Sequence, residues 1–158
     1  MKTRLNPLEK LKAVFGRRPV AVRPEVGAVV YRKTRGDLKI LLLRNKRGAW
    51  SVPAGRPLEE ETDVEAVLRL VGDQAGPDEL KVWQTLGQIG FEPKPGKRKP
   101  ARLQLFLIQA LSVSDQTDGS AVKEAAWLPV REAAEKIDHG ELAGMVNLAA
   151  AKIKRAQI

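Results

Sequence analysis

The chain contains no cysteine. That excludes disulfides, zinc–thiolate sites and a thiol nucleophile, and it suits a reducing compartment. No apolar run approaches the roughly 18 residues of a membrane span, and the first residues lack the apolar core of a secretory signal. The basic start differs from a mitochondrial presequence, because it carries Glu9 and almost no hydroxyl residues. The expectation is a cytoplasmic protein with no membrane partner.

What is present describes a folded chain. Apolar residues make up 43% and charged residues 30% of the 158, too apolar for disorder and enough for one core. The net charge of +9 is concentrated. Residues 1–26 hold seven basic and two acidic side chains, and residues 92–102 hold five basic and one acidic. The rest of the chain is neutral. Two basic patches on a neutral body fit an anionic partner: phosphates, RNA or an acidic protein surface.

Residues 1–24 read as a basic appendage or linker. "NPLEKLKAVF" places Leu8, Leu11 and Phe15 on one helical face, and "GRRPVAVRP" breaks it. Residues 25–158 read as the domain. "VGAVVYR" and "LKILLLR" are strand-like, with the Gly-Asp pair of "KTRGD" as a hairpin turn. "LKVWQTLGQIGF" and "ARLQLFLIQAL" are two further strands, joined by the proline-rich "EPKPGKRKP". "SVSDQTDGS" reads as a polar loop. "KEAAWLPV" is a last short strand that ends at Pro129, with residues 130–136 turning helical. "GELAGMVNLAAAKIKRA" closes the chain as an amphipathic helix, with Leu142, Met145, Val146 and Ala149 on one face. The order of elements predicts an α/β or α+β sandwich.

Between the strands lies "GRPLEEETDVEAVLRLVGDQAG", which carries six acidic residues. Helical periodicity puts Val64, Val67, Leu68, Val71 and Ala75 on one face, expected to meet the core. Arg69 falls on the opposite face, four residues from both Glu65 and Asp73, so both pairs are candidates for surface ion pairs. Leu70 falls at the edge of the apolar stripe, and Leu70, Asp73 and Gln74 are spaced to share one patch. Three carboxylates there would suit magnesium or manganese, which prefer oxygen ligands. The patch holds one carboxylate, one amide and one leucine.

These residues carry a resemblance to the Nudix hydrolase family. Its box reads Gly, five residues, Glu, seven residues, Arg-Glu-apolar-x-Glu-Glu-x-Gly. Gly55, Glu61, Arg69, Val71 and Gly76 stand on that spacing without a gap. "GAWSVPAG" resembles the family's Trp-x-x-Pro-x-Gly lead-in, and "AAWLPVREAAEKI" its tail. The flanks are most similar to the diadenosine-tetraphosphate hydrolase-like branch, on "GAVVYRKTRGDLKILLLRN" and the basic segment before "LQLFLIQA". The resemblance implies a Nudix-type α/β/α sandwich with a mixed, partly curled sheet. It implies that Glu61 and Arg69 brace a loop against the helix through a salt bridge.

The resemblance also assigns the family's metal-binding and catalytic positions to Leu70, Asp73 and Gln74. Leucine can neither ligate metal nor accept a proton, and glutamine ligates without neutralising charge. Asp73 is the remaining candidate for weak metal binding. The expectation is a domain that recognises a nucleoside polyphosphate or other phosphorylated ligand, with hydrolysis weak or lost. One alternative is an active hydrolase of nucleoside diphosphate-linked compounds, using magnesium or manganese at a shifted site drawn from Glu59, Glu60, Glu61 and Asp73. Another is an RNA- or protein-binding scaffold. Candidate ligand-binding residues are Arg56, Lys94, Lys97, Arg98, Lys99 and Arg102. His139 reads as a surface residue, and Trp50, Trp83 and Trp127 as core residues.

Overall fold

The computed structural model describes residues 23–77, 79–91, 101–111 and 124–158. The basic segment of residues 1–22 and Lys94, Lys97, Arg98 and Lys99 lie outside the described residues. The chain runs β1 (Glu25–Thr34), β2 (Asp37–Arg44), β3 (Trp50–Ser51), β4 (Ala54–Gly55), α1 (Asp63–Ala75), β5 (Leu80–Phe91), β6 (Ala101–Ala110), β7 (Glu124–Pro129), α2 (Val130–Lys136) and α3 (Gly140–Ala156). No described helix is long and apolar enough to cross a membrane.

All seven strands join one mixed sheet, with β3-β2-β1-β6-β5 as its main path. β1 pairs with β6 in parallel, and the other pairings are antiparallel. β1 and β2 pair only from Tyr31↔Ile40 to the turn. Beyond that they diverge, and two short strands fill the gap: β4 against Val26 and Gly27, β3 against Leu43 and Arg44. This curl carries Gly55 under the helix that follows it.

The turn between β1 and β2 has Arg35 and Gly36 both at positive φ, 53° and 86°. That is the mirror-image geometry that matches strand twist in a two-residue hairpin. It lies one residue before the expected Gly-Asp pair. Strand alternation then divides the apolar residues between two cores. Val26, Ala28, Val30, Leu41, Leu43, Phe106 and Ile108 meet α1 on one face. Val29, Tyr31, Ile40, Leu42, Leu103, Leu105 and Leu107 meet α2 and α3 on the other, chiefly through Leu142, Val146, Ala149 and Ile153. Strands buried on both faces explain the nearly unbroken apolar runs of β1, β2 and β6. The mixed sheet between helices, not closed into a barrel, is the expected sandwich.

The face of α1 differs from the periodicity reading. Ala66, Val67, Leu70, Val71 and Ala75 are buried, whereas Val64 is exposed and Leu68 half-buried. The buried stripe is rotated towards Leu70 because β4 adds a second wall on that side. The three tryptophans are half-buried at the margins of the cores, each with a cation over its ring. These are Arg32 over Trp127 at 4.5 Å, Lys81 over Trp83 at 4.0 Å, and Lys136 and Arg44 at 5.5 and 5.9 Å from Trp50. His139 caps α3, its Nδ1 accepting the Leu142 N–H, and its ring lies against Phe91.

Candidate functional site

α1 starts where its sequence says it should. Thr62 accepts the Glu65 N–H and Glu65 accepts the Thr62 N–H, a reciprocal capping box that satisfies two otherwise orphaned donors. Gly76 ends the helix in the left-handed region at φ 92°, its N–H donating to the Gly72 carbonyl. The threonine–glutamate spacing of "TDVE" is the sequence signal for this helix start.

The loop entering α1 is tied down by charge. Arg69 donates through Nε to Glu61 Oε2 at 2.7 Å and through Nη2 to Glu61 Oε1 at 2.9 Å, a two-pronged pair. The same Nη2 reaches the Arg56 carbonyl at 3.2 Å, and Glu61 Oε1 also accepts the Leu58 N–H at 2.8 Å. Arg23 adds a clasp from the other side, donating to Asp63 and to the Leu58 carbonyl. The Arg69 guanidinium, helped by the Leu58 amide, holds the Glu61 carboxyl down at about 2. Glu61 in turn raises the Arg69 pKa. Arg69 therefore pairs across the loop, and the expected pairs along the helix with Glu65 and Asp73 are not formed. Glu65 is committed to the capping box.

One turn further on, the chemistry changes. Leu70 is 7% exposed and packs onto Gly55 so closely that a Cβ there would meet its Cδ2 at 2.8 Å. A side chain at 55 would force Leu70 to shift. Gln74 uses both ends of its amide on one residue: Nε2 donates to the Ala54 carbonyl at 3.0 Å, and Oε1 accepts the Ala54 N–H at 3.3 Å. The side chain thus completes β4 as a neighbouring strand would. Asp73 is exposed and makes no ion pair or hydrogen bond among the described residues.

Hard cations need several oxygens, most of them anionic. Leu70 offers none, the Gln74 oxygen is already engaged, and Asp73 is a single carboxylate. Among the described residues, no group of three or more histidine, cysteine, aspartate or glutamate side chains is placed to hold a metal. A shallow cleft of about 450 Å³ is lined by Leu58, Glu59, Glu60, Glu61 and Glu65. Neither Leu70 nor Gln74 lines it, and two of its four carboxylates are spent on Arg69 and the helix cap. Among the described residues, those on α1 and in the cleft therefore do not fit a divalent-metal site.

Residues 21–148 match the family model for the NUDIX domain. The chain belongs to that family. Nudix hydrolases use a divalent metal such as magnesium or manganese. Solved structures share the fold. A Caenorhabditis elegans Ap4A hydrolase binary complex superposes with a TM-score of 0.73 at 21% identity, covering 83% of this chain and 97% of that one. The NUDIX domain of Shewanella oneidensis NrtR complexed with ADP ribose gives 0.69 at 18%, covering 94% and 99%. A NUDIX hydrolase from Listeria monocytogenes gives 0.73 at 16%, covering 84% and 95%. No curated protein sequence matches the chain.

Of the ligand-binding candidates, Arg56 is an exposed side chain in the braced loop and Arg102 lies on β6. Arg102 is joined by Gln88 and Gln104, which the sequence reading did not single out. Arg102 Nη2 donates to Gln88 Oε1 at 2.6 Å, and Gln88 Nε2 donates to Gln104 Oε1 at 3.2 Å. Gln104 Nε2 donates to the carbonyls of Gly87 and Leu105.

Proposed function

We propose that this NUDIX domain recognises a nucleoside polyphosphate or a related phosphorylated ligand, and that its hydrolytic activity is weak or lost. The observation that carries the reading is the packing of Leu70 on Gly55 beside the closed Gln74–Ala54 pair. Attack of water on a pyrophosphate draws on a metal to neutralise phosphate oxygens and to acidify the water, effects worth several kcal/mol. Each kcal/mol of lost transition-state stabilisation costs about fivefold in rate. With an apolar group and an amide at two of three metal-binding positions, most of that enhancement is forfeited, while the fold that receives a nucleotide is retained. The ADP ribose bound by the Shewanella relative supports the ligand class.

The test is one screen with two readouts. ADP, ADP-ribose and diadenosine tetraphosphate are offered with magnesium and with manganese, and both thermal shift and product release are measured. Stabilisation with turnover near background is expected. Metal-dependent turnover within the usual range of about 1–1,000 per second would overturn the reading.

A further inference from the structure

Arg23 is the first described residue and the last cation of the basic N-terminal segment. Its side chain is already committed to the domain. It donates to the Asp63 carboxylate and to the Leu58 carbonyl, so the chain enters the domain clasped to the start of α1. Residues 1–22 therefore depart from this spot.

The surface there is acidic and apolar at once. Residues 59–65 hold five acidic side chains. Arg69 answers Glu61, and Arg23 answers Asp63. Glu65 accepts the Thr62 N–H but meets no cation among the described residues, and Glu59 and Glu60 are exposed without an ion pair there. These three carboxylates line the cleft with Leu58 and Glu61. Leu58 is 57% exposed and Val64 40%, two of the four large apolar side chains that the described surface leaves in water. One exposed leucine is ordinary. Two apolar side chains within seven residues, set among unanswered carboxylates, complement a basic amphipathic segment.

Residues 1–22 have that character. They hold Lys2, Arg4, Lys10, Lys12, Arg17 and Arg18 against the single acid Glu9. Helical spacing sets Leu8, Leu11 and Phe15 on one side. The seven residues 16–22 join that stretch to the clasp and span at most about 25 Å. Residues 6–15 are about 15 Å long as a helix. The basic stretch is thus tethered beside its complement, where a short tether gives an effective concentration of about 1 mM or more. Contacts too weak to hold two separate molecules together are populated under that condition.

We propose that residues 6–15 dock in cis on the surface formed by Leu58, Glu59, Glu60 and Val64, with the Arg23 clasp fixing the point of entry. Leu8, Leu11 and Phe15 cover Leu58 and Val64, while Lys10 and Lys12 answer Glu59 and Glu60. The occupant of the acidic cleft is then the chain's own basic segment, and the surface is distinct from the positions of Leu70, Asp73 and Gln74.

Hydrogen exchange of the full chain at low salt, read by mass spectrometry, tests this. Amides of residues 6–15 should exchange at least about fivefold more slowly in the parent than in E59K/E60K/L58S, with strand amides unchanged. K10E/K12E should release the segment equally, and E59K/E60K combined with K10E/K12E should restore its protection. A segment protected only by its own helicity shows no such recovery. Raising the salt to about 1 M should weaken the parent's protection, because exposed charge pairs are screened. Unprotected amides at 6–15 in the parent overturn the proposal, and so does protection indifferent to the cleft substitutions. Protection that rises with protein concentration also overturns it, by assigning the occupant to a second copy of the chain. If E59K/E60K/L58S disturbs the strand amides, K10E/K12E and the charge-swapped combination decide.

Discussion

The two halves of the box helix have been treated differently. At the N-terminal end, Glu61, Arg69, Thr62 and Glu65 keep ionic and hydrogen-bonded contacts that tie the loop to the helix. One turn on, Leu70 and Gln74 replace charge by packing and by a neutral amide. The first set holds the backbone path from Gly55 to α1, which any occupant of the cleft requires. The second occupies the positions to which the resemblance assigns metal ligands. Scaffold and chemistry are therefore separable in this fold, and each substitution below asks how cleanly.

The largest effect is expected from Leu70→Glu. It puts a carboxylate against Gly55 in a position 7% exposed, at about 3 kcal/mol or more in the absence of a compensating partner. The cost should shrink as the buried acid is protonated at low pH. Urea unfolding at pH 7 and pH 4 measures both. A parental midpoint at pH 7 would mean that the slot opens to water and that the two halves differ less than the packing says. Stability regained in Leu70→Glu, Gln74→Glu on adding magnesium would show that carboxylates at these two positions suffice to hold the metal.

Next is Gln74→Leu, which strands the N–H and carbonyl of Ala54. A loss of about 1–3 kcal/mol is expected. Gln74→Glu should also destabilise, because a carboxylate cannot donate to the Ala54 carbonyl. A Gln74→Glu protein as stable as the parent in urea would disprove the strand-like role of the amide.

Thr62→Ala removes the side-chain half of the capping box and should cost about 1 kcal/mol, readable as a lower thermal midpoint. The smallest effect at neutral pH belongs to Glu61→Gln, since solvent screens the Glu61–Arg69 pair. Its signature is pH dependence. The Glu61 carboxyl sits at about 2 in the folded protein against an ordinary 4.5. Its contribution is therefore complete above about 4.5 and is lost as pH falls towards 2. Between those values the parent should lose stability more steeply than Glu61→Gln. Equal slopes in acid unfolding would mean that the brace carries no ionic contribution.

Much of the fold was legible because it follows from local rules. Runs of strand-forming residues marked β1, β2, β5 and β6, and the amphipathic repeat marked α3 from Gly140 to Ala156. The spacing from Gly55 to Gly76 marked the helix and named its substituted positions. The direction in which α1 faces was not legible. Helical periodicity sets angles between side chains, but β4, a wall from outside the helix, turned Leu70 inward and left Val64 outside. The partner of Arg69 was ambiguous for a related reason. Spacing along the helix offered Glu65 and Asp73, while the loop delivered Glu61 with both oxygens facing Arg69 and the Leu58 amide holding one of them.

The ladder of Arg102, Gln88 and Gln104 belongs wholly to tertiary structure. Register shifts between Val82 and Gln84 and between Thr85 and Gly87 interrupt the alternation of β5. They send Leu86 into the α3-side core while Gln88 remains on the α1 face beside Gln104. By itself the sequence determined the longer strands and the helices, and which residue types stand at the positions where the resemblance expects metal ligands. Those properties depend on neighbours a few residues apart. Burial of Leu70, closure of Gln74 on Ala54 and the pairing of Arg102 with Gln88 were decided only by the folded sheet. Each depends on backbone brought together from distant parts of the chain, whose register no local preference encodes.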